Sequence, residues 1–173
     1  MTKPDALRLS RRAVLVLGAA SLLSACASTM PVIPAGGNTP ETLTDEQIRT
    51  AVNAVRAANG APAWAYNPRL ENAARSQARL MAARNTLSHD LGVTLRQRVT
   101  EAGYDGAVGE NLAGGHKTLE SAIEGWMNSP GHRSTLLSHK FAEFGLAVAR
   151  TSSGKLYWAM IAGGSFDAWR VYG

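Results

Sequence analysis

The sequence predicts an α+β domain, because helical periodicity dominates its first part and strand alternation closes it. From residue 48 to residue 137, apolar residues recur every three to four positions in segments bounded by capping residues, Gly and Pro. From Phe144 onward the pattern changes to a period of two. Helices followed by an antiparallel hairpin are typical of a small sheet covered by helices.

Five helices are predicted from their N-terminal signals. The first begins with a capping box, in which the Thr44 side chain bonds to the backbone of Gln47 and the Gln47 side chain reaches back. Pro68 and Pro130 each occupy a first helical position, where a missing N–H is tolerated. The buried face of the second helix is predicted to consist of Leu70, Ala73, Ala74, Gln77, Ala78 and Met81. The predicted N-cap residues are Thr44, Asn67, Thr94, Thr118 and Ser129.

Two strands are predicted at the end of the chain. Phe144, Leu146 and Val148 alternate with small residues, as in a strand with one face against the core. Ser152-Ser153-Gly154 then turns the chain back into a second strand, Leu156 to Ala162. A short extended piece is also expected between the first two helices, at residues 64–66.

The first 25 residues have the features of an export signal. A basic start precedes a thirteen-residue apolar run, Ala13 to Ala25, which is shorter than the roughly 20 residues that a membrane-spanning helix needs. The run ends in Leu23-Ser24-Ala25-Cys26, which resembles the lipobox of bacterial lipoproteins and predicts lipidation of Cys26. An ordinary secretory signal with a chance Cys is the alternative. Arg11-Arg12 also resembles a twin-arginine signal, so the export route stays open.

The leader also accounts for most of the positive charge. The whole chain has a formal net charge of +5, of which the first 25 residues carry +3. The remaining +2, without a recognition module, argues against nucleic acid as a partner. Hydrophobic residues make up 45% of the chain, which allows a packed core, and the single Cys excludes an internal disulfide and a Cys-based zinc cluster.

The predicted organisation has four parts. They are a lipoprotein signal peptide at 1–25, a flexible tether at 26–43, one folded domain at 44–165 and a C-terminal tail at 166–173. The tether is predicted because Pro, Gly and small polar residues occur there without periodicity. Processing would leave a domain of roughly 120 residues outside the cytoplasm, anchored to a bacterial membrane on the periplasmic side or at the cell surface.

Three titratable residues in polar segments are the candidates for chemistry. They are His89 after the second helix, Glu110 in Gly109-Glu110-Asn111-Leu112, and His132 after Gly131. Each is predicted at a boundary between elements, where a scaffold presents side chains to a cleft. Imidazoles and a carboxylate can bind a divalent metal or form an acid–base pair. Equally, the His residues could bond loop backbone and Glu110 could cap an element, so spacing alone leaves these alternatives open.

Five short stretches occur in a characteristic order between about Leu43 and Gly164. They are Asn53-x-x-Arg56 with Trp64 and Leu70, Ser88-His89, Gly109-Glu110-Asn111-Leu112, Trp126-Met127-Asn128-Ser129-Pro130-Gly131-His132-Arg133, and Phe144-Gly145-Leu146-Ala147. Together they resemble the CAP (or SCP) superfamily, the domain shared by cysteine-rich secretory proteins, antigen 5 and pathogenesis-related 1 proteins. The resemblance is strongest to its bacterial secreted branch.

The resemblance implies a three-layer α-β-α sandwich around a central antiparallel sheet, with a cleft lined by two His and two Glu. By motif, the two His are His89 and His132, and the first Glu is Glu110. The family's second Glu is replaced by Ser129, which precedes a Pro and suits a helix cap better than a ligand. Two His and one carboxylate could still hold zinc, with water in the fourth position. The predicted cleft residues are therefore His89, Glu110, Asn111, Ser129 and His132.

Three functions are compatible with these residues. The leading one is non-enzymatic: a lipid-anchored extracytoplasmic CAP-domain protein whose cleft binds a small molecule, a lipid or an envelope component. It is favoured because no nucleophile–base–orienter set and no nucleotide-loop, nucleophile-elbow or His-Glu-x-x-His motif occurs in the sequence. The second is a zinc-dependent hydrolase, in which His89, His132 and Glu110 hold the metal or activate its water. The third is an adhesin or structural envelope protein.

Overall fold

The computed structural model describes residues 39–171 of the chain. The predicted leader at 1–25 and the predicted lipidation site Cys26 lie outside the described residues. Within 39–171, no helix is both long enough and apolar enough to cross a membrane. A 3-10 helix comes first, Pro40–Thr42, followed by α1 (Asp45–Ala58), β1 (Ala65–Tyr66), α2 (Pro68–Arg84), α3 (Leu95–Glu101), β2 (Ala107–Gly114), α4 (Leu119–Met127), α5 (Pro130–Leu137), β3 (Glu143–Arg150), β4 (Leu156–Gly164) and α6 (Ala168–Val171).

The predicted helix starts are confirmed. Gln47 N donates to the Thr44 hydroxyl and Thr44 N donates to Gln47 Oε1 over 2.9 Å, which completes the capping box of α1. Asn67 caps α2 by accepting hydrogen bonds from backbone N–H groups of the first turn. Thr94 and Thr118 cap α3 and α4 in the same way. Each cap satisfies N–H groups that have no partner inside the helix.

Four strands form one sheet in the order β1-β3-β4-β2. Strands β3 and β4 make the predicted antiparallel hairpin, with Leu146 opposite Met160. Strand β2 pairs antiparallel with the other side of β4, and the two residues of β1 pair in parallel with β3. Because β4 lies between β3 and β2 and has helices on both faces, all 9 of its residues are buried.

The sheet separates two hydrophobic cores. Side chains of successive residues in β4 point to opposite faces of the sheet, as the pleat of a strand requires. Trp158 and Met160 pack with α1, α4 and α5, whereas Ala159 and Ile161 pack with α2 and α3. The predicted α+β class and three-layer α-β-α arrangement are therefore confirmed, with the short β1 as the one parallel strand among the described residues.

Helix α2 lies directly against β3 at Gly145. A Cβ at this position would collide with backbone atoms of Leu70 and Glu71. Because backbone cannot move aside as a flexible side chain can, only glycine allows the helix and the strand to approach this closely. The Phe144-Gly145 stretch noted in the sequence thus has a packing explanation.

Strand β2 is absent from the sequence prediction, which wrongly places Glu110 at a boundary between elements. The structure puts Glu110 inside β2, opposite Ile161 of β4. The strand is hard to predict because Gly109, Asn111 and Gly114 interrupt the alternation, and these residue types are depleted in strands. Its conformation is stabilised by pairing with β4 rather than by its own propensity.

Both ends of the domain extend beyond the predicted boundaries. The 3-10 helix Pro40–Thr42 lies inside the predicted tether, and its Glu41 forms an ion pair with Arg150 at the end of β3. Helix α6 lies inside the predicted tail, where Trp169 packs edge-on against Phe141 with ring centroids 5.8 Å apart. The structured domain therefore begins by residue 40 and continues past residue 165.

Candidate functional site

Two pairs of the predicted cleft residues meet at strand β2, an edge strand of the sheet: His89 with Glu110, and Asn111 with the backbone of His132. Glu110 lies on the sheet face covered by α2 and α3, because its partner Ile161 belongs to that core. Asn111 lies on the opposite face, towards α4 and α5. His89 follows α2 and His132 belongs to α5, so the two helical layers each contribute one imidazole. We call His89, Glu110, Asn111 and His132 the His–Glu site.

The carboxylate of Glu110 is buried and both of its oxygens have partners. Arg98 Nη2 donates to Oε1 over 2.7 Å, and His89 Nδ1 lies 2.7 Å from Oε2. The side chain of Glu110 is 2% exposed, whereas that of His89 is 62% exposed. An ionised carboxylate only accepts hydrogen bonds, so in the neutral form of His89 the short contact assigns the proton to Nδ1 and makes Nε2 the acceptor nitrogen.

Arg98 is the residue of this site that the sequence analysis missed. Its guanidinium is buried, pairs with Glu110 and also donates to the carbonyl of Val93. A buried carboxylate requires a compensating charge of this kind. One signal could have identified it: with Leu95 and Val99, Arg98 occupies the i, i+3, i+4 positions of the inward face of α3.

Two hydrogen bonds fix the backbone of the loop that carries His89, one from α2 and one within the loop itself. Gln77, on the predicted buried face of α2, donates from Nε2 to the carbonyl of Ser88 over 2.5 Å. The Asp90 carboxylate accepts a hydrogen bond from Gly92 N over 2.9 Å, which closes a turn just after His89. These bonds fix the backbone on either side of His89. Its imidazole is therefore held in place although it is exposed to solvent.

His132 is positioned through its backbone. Asn111 Nδ2 donates to the carbonyl of His132 over 2.8 Å and thereby ties α5 to β2. Burial, and secondarily the positive charge of His89, hold the pKa of His132 below its ordinary value.

Ser129 occupies the N-cap position of α5, as predicted, but its side chain makes no capping hydrogen bond. Pro130 occupies the first helical position, where its missing N–H costs no bond within the helix. Glu124 of α4 is exposed. The family's second acidic position is therefore held by a partly buried hydroxyl.

Three buried polar atoms near the site have no hydrogen-bond partner within the described part of the chain. They are Gln77 Oε1, Arg98 Nε and Asn111 Oδ1. Each of these residues supports His89, Glu110 or His132 through another of its polar atoms. Orphaned buried groups are costly and are usually satisfied by water or a ligand. Their concentration here distinguishes the His–Glu site from the rest of the core.

The arrangement of the donors does not fit a zinc centre. Within residues 39–171, no group of three His, Cys, Asp or Glu side chains is placed to hold a metal ion. In addition, Arg98 and His89 already engage the two oxygens of Glu110. Zinc bound by His89, His132 and Glu110 would require the carboxylate to exchange one of these bonds for the metal. The zinc site stays a prediction, to be tested by titration.

The same positions fall within a known family. A family model described as CAP, the cysteine-rich secretory protein family, matches residues 49–161. The chain belongs to the CAP family. The matched range contains His89, Glu110 and His132, and it begins within α1 and ends within β4.

Two curated relatives of this CAP domain come from Bacillus subtilis (strain 168). The uncharacterized membrane protein YlbC is 30% identical over 114 residues, which are 64% of this chain and 33% of that protein. The uncharacterized protein YkwD is 42% identical over 45 residues, which are 26% of this chain and 18% of that protein. The chain thus matches only 33% or less of the length of these relatives.

Solved structures show the same fold. An extracellular protein containing an SCP domain from Bacillus anthracis has a TM-score of 0.62 at 26% identity, covering 69% of this chain and 40% of that protein. An outer surface protein from Borrelia burgdorferi has a TM-score of 0.62 at 22% identity, covering 69% of this chain and 91% of that protein. The second likeness concerns the fold alone.

Proposed function

We propose that this protein is a lipid-anchored, extracytoplasmic CAP-domain protein whose His–Glu site binds a small molecule, a lipid or an envelope component. The observation that carries the proposal is the Arg98–Glu110–His89 chain. It places an exposed imidazole on a buried, charge-compensated support. A side chain held in this way is preorganised to contact a ligand at little further entropic cost.

The unpaired polar atoms support binding rather than a purely structural role. An acceptor on Gln77, an acceptor on Asn111 and a donor on Arg98 lie buried without protein partners within residues 39–171. A ligand or bound water that enters from the edge of β2 could satisfy them. A ligand with hydroxyl, amide or phosphate groups offers the matching donors and acceptors.

The proposed location rests on the N-terminal sequence and on the similar proteins. The apolar run and Cys26 have the spacing of a lipoprotein signal. A similar solved protein is described as extracellular, and one curated relative as a membrane protein. Mass spectrometry of the N-terminal peptide from purified membranes tests the anchor: we expect Cys26 as the first residue, carrying acyl chains.

Ligand binding is tested on protein isolated from its own membranes in mild detergent. We expect native mass spectrometry to show a bound mass that is lost in His89→Ala and kept in His139→Ala. His139 is a suitable control because it is also an exposed imidazole, outside the site. Wild-type protein without any bound mass, or a bound mass indifferent to His89→Ala, would contradict the proposal.

The His89–Glu110 contact also favours a second candidate, a metal-independent hydrolase. With Nδ1 protonated towards Glu110, Nε2 of His89 can accept a proton from water, which is the orientation that a general base requires. The water would then attack an ester or amide bound at the edge of β2. Hydrolysis of an activated ester in EDTA should fall by about 10²-fold or more in His89→Ala. Equal rates in the two proteins would exclude this candidate.

A further inference from the structure

A basic cleft of about 500 Å³ lies at one end of the sheet, between the β2–α4 loop and the β3–β4 turn. It is lined by His116, Lys117, Arg150, Ser153, Gly154 and Lys155, and none of the described lining residues is Asp or Glu. Gly114, the last residue of β2, lies four positions from Glu110, or about 13 Å along the strand. The basic cleft is therefore separate from the His–Glu site.

The walls of the basic cleft are structurally fixed, while its two lysines are exposed. Gly154 has a φ of +91°, and Gly154 N donates to the carbonyl of Thr151 over 3.0 Å, which closes the β3–β4 turn. On the other wall, the carbonyl of His116 accepts a hydrogen bond from the indole N–H of Trp158 over 2.9 Å. Lys117 and Lys155 are exposed cations on these walls, and Lys155 Nζ lies 4.8 Å from the centroid of the Tyr157 ring. Two ammonium groups on opposed rigid loops suit a phosphate, which lysine binds as a point charge.

The N-terminal segment joins the domain beside this cleft. Arg150 lines the cleft and also donates from Nη2 to Glu41 Oε2 over 2.9 Å. Glu41 belongs to the 3-10 helix at which the described chain begins. A further hydrogen bond from Arg150 Nη1 to the carbonyl of Gly154 ties this contact to the turn. The ion pair therefore places the entry of the N-terminal segment next to the two lysines.

Cys26, the predicted site of lipidation, lies a short distance along the chain from the start of the described residues. Thirteen positions separate Cys26 from Thr39, and a chain of this length spans at most about 45 Å when fully extended. Lipid on Cys26 would thus keep the N-terminal side of the domain close to the membrane. Lysines near an anionic leaflet are attracted to it within about a Debye length, roughly 10 Å.

We propose that the basic cleft binds the phosphate of an anionic lipid headgroup and so orients the domain on the membrane that anchors it. This inference rests on the proposed lipid anchoring at Cys26. With the cleft against the headgroups, Glu110 lies about 13 Å away along β2, and the His–Glu site stays accessible to ligands. The anchor holds the protein at the membrane, and the cleft determines which face it presents.

The test uses the full chain with Cys26→Ser, so that no acyl chain contributes to binding. Co-sedimentation is measured with phosphatidylcholine vesicles and with vesicles containing about 30% phosphatidylglycerol, at low and high salt. We compare this chain with Lys117→Glu/Lys155→Glu in the same background. The matched control is Arg79→Glu/Arg84→Glu, which makes the same charge change at two exposed positions of α2. The leader is common to all three proteins, so differences among them report on the substituted positions.

We expect binding to the phosphatidylglycerol vesicles at low salt, with at least a ten-fold weakening in the lysine variant and less than two-fold in the arginine control. Equal weakening in both variants would overturn the inference, since only net charge would then matter. Binding of millimolar inorganic phosphate without any vesicle binding would also overturn it, because the ligand would be a free phosphate. The mass of the Cys26 peptide is an independent measurement: an unmodified Cys26 refutes the anchor alone, and absent vesicle binding refutes the headgroup site alone.

Discussion

Arg98 Nη2 and Glu110 Oε1 form a 2.7 Å ion pair in which the two side chains are 0% and 2% exposed. The pair joins α3 to β2 beneath the loop of His89. Removing two charges from water is costly, and the cost is offset only while each charge keeps its partner. The position of the exposed imidazole therefore depends on a contact that is hidden from solvent.

Replacing Arg98 by Met should lower the free energy of unfolding by about 3–5 kcal/mol, because it leaves the Glu110 carboxylate buried without a compensating charge. Urea denaturation followed by tryptophan fluorescence measures the change. Arg98→Met/Glu110→Leu should recover much of the loss, since it removes both charges. Arg49→Met is the control, because its pair with Glu46 is exposed, and it should have little effect. If Arg98→Met is as stable as wild type, the buried ion pair is not needed for the stability of the fold.

His132 should make the protein more sensitive to acid. Burial, followed by the positive charge of His89, lowers the pKa of His132 below its ordinary value of 6.5. The folded state then binds fewer protons than the unfolded chain, so this contribution to stability is complete above pH 6.5 and is lost as the pH falls through the folded pKa.

In thermal melts at about pH 7.5 and about pH 5, His132→Gln should therefore show a smaller fall in Tm than wild type. His139→Gln, which changes an exposed histidine, should behave like wild type. An acid-induced fall that is equal in His132→Gln and wild type would show that His132 does not carry this effect.

Gly145→Ala should destabilise the domain by about 3 kcal/mol or more, because the new Cβ would collide with the backbone of α2. The matched substitution is Gly131→Ala in α5, where a Cβ meets nothing within 4 Å. This change should stabilise by about 0.5–1 kcal/mol, since Gly is a poor helix former. Chemical denaturation of both variants measures the difference, and equal stabilities would refute the close contact of α2 and β3.

Zinc should bind weakly, because both oxygens of Glu110 are already engaged. In isothermal titration calorimetry, wild type and His89→Ala/His132→Ala should differ by less than about ten-fold in zinc affinity. Stoichiometric zinc in the purified wild type, lost in the double variant, would instead show that Glu110 releases Arg98 or His89 to bind metal. The zinc-dependent hydrolase would then replace the binding function as the better hypothesis.

Local sequence signals were sufficient for much of the fold. The capping box of Thr44 and Gln47, the proline starts of α2 and α5, and the alternation from Phe144 each depend on residues a few positions apart. Their physical causes act within one helical turn or along one strand, so they can be read without knowledge of the tertiary structure. The ordered stretches around His89, Glu110 and His132 likewise indicated the family, and the family model confirms it.

The sequence by itself therefore determined the helix starts, the closing hairpin and the family, and it predicted the three residues of the candidate site. Only the tertiary structure decided that Glu110 lies within a strand and that Arg98 is its partner. Strand β2 has little propensity of its own and forms because β4, much later in the chain, pairs with it. The spacing of Arg98 places it on the inward face of α3, but its partner is decided only when α3 packs on the sheet and buries Arg98 against a carboxylate twelve residues away. Both outcomes depend on contacts between separate segments of the chain. A local sequence pattern does not show which segments will meet.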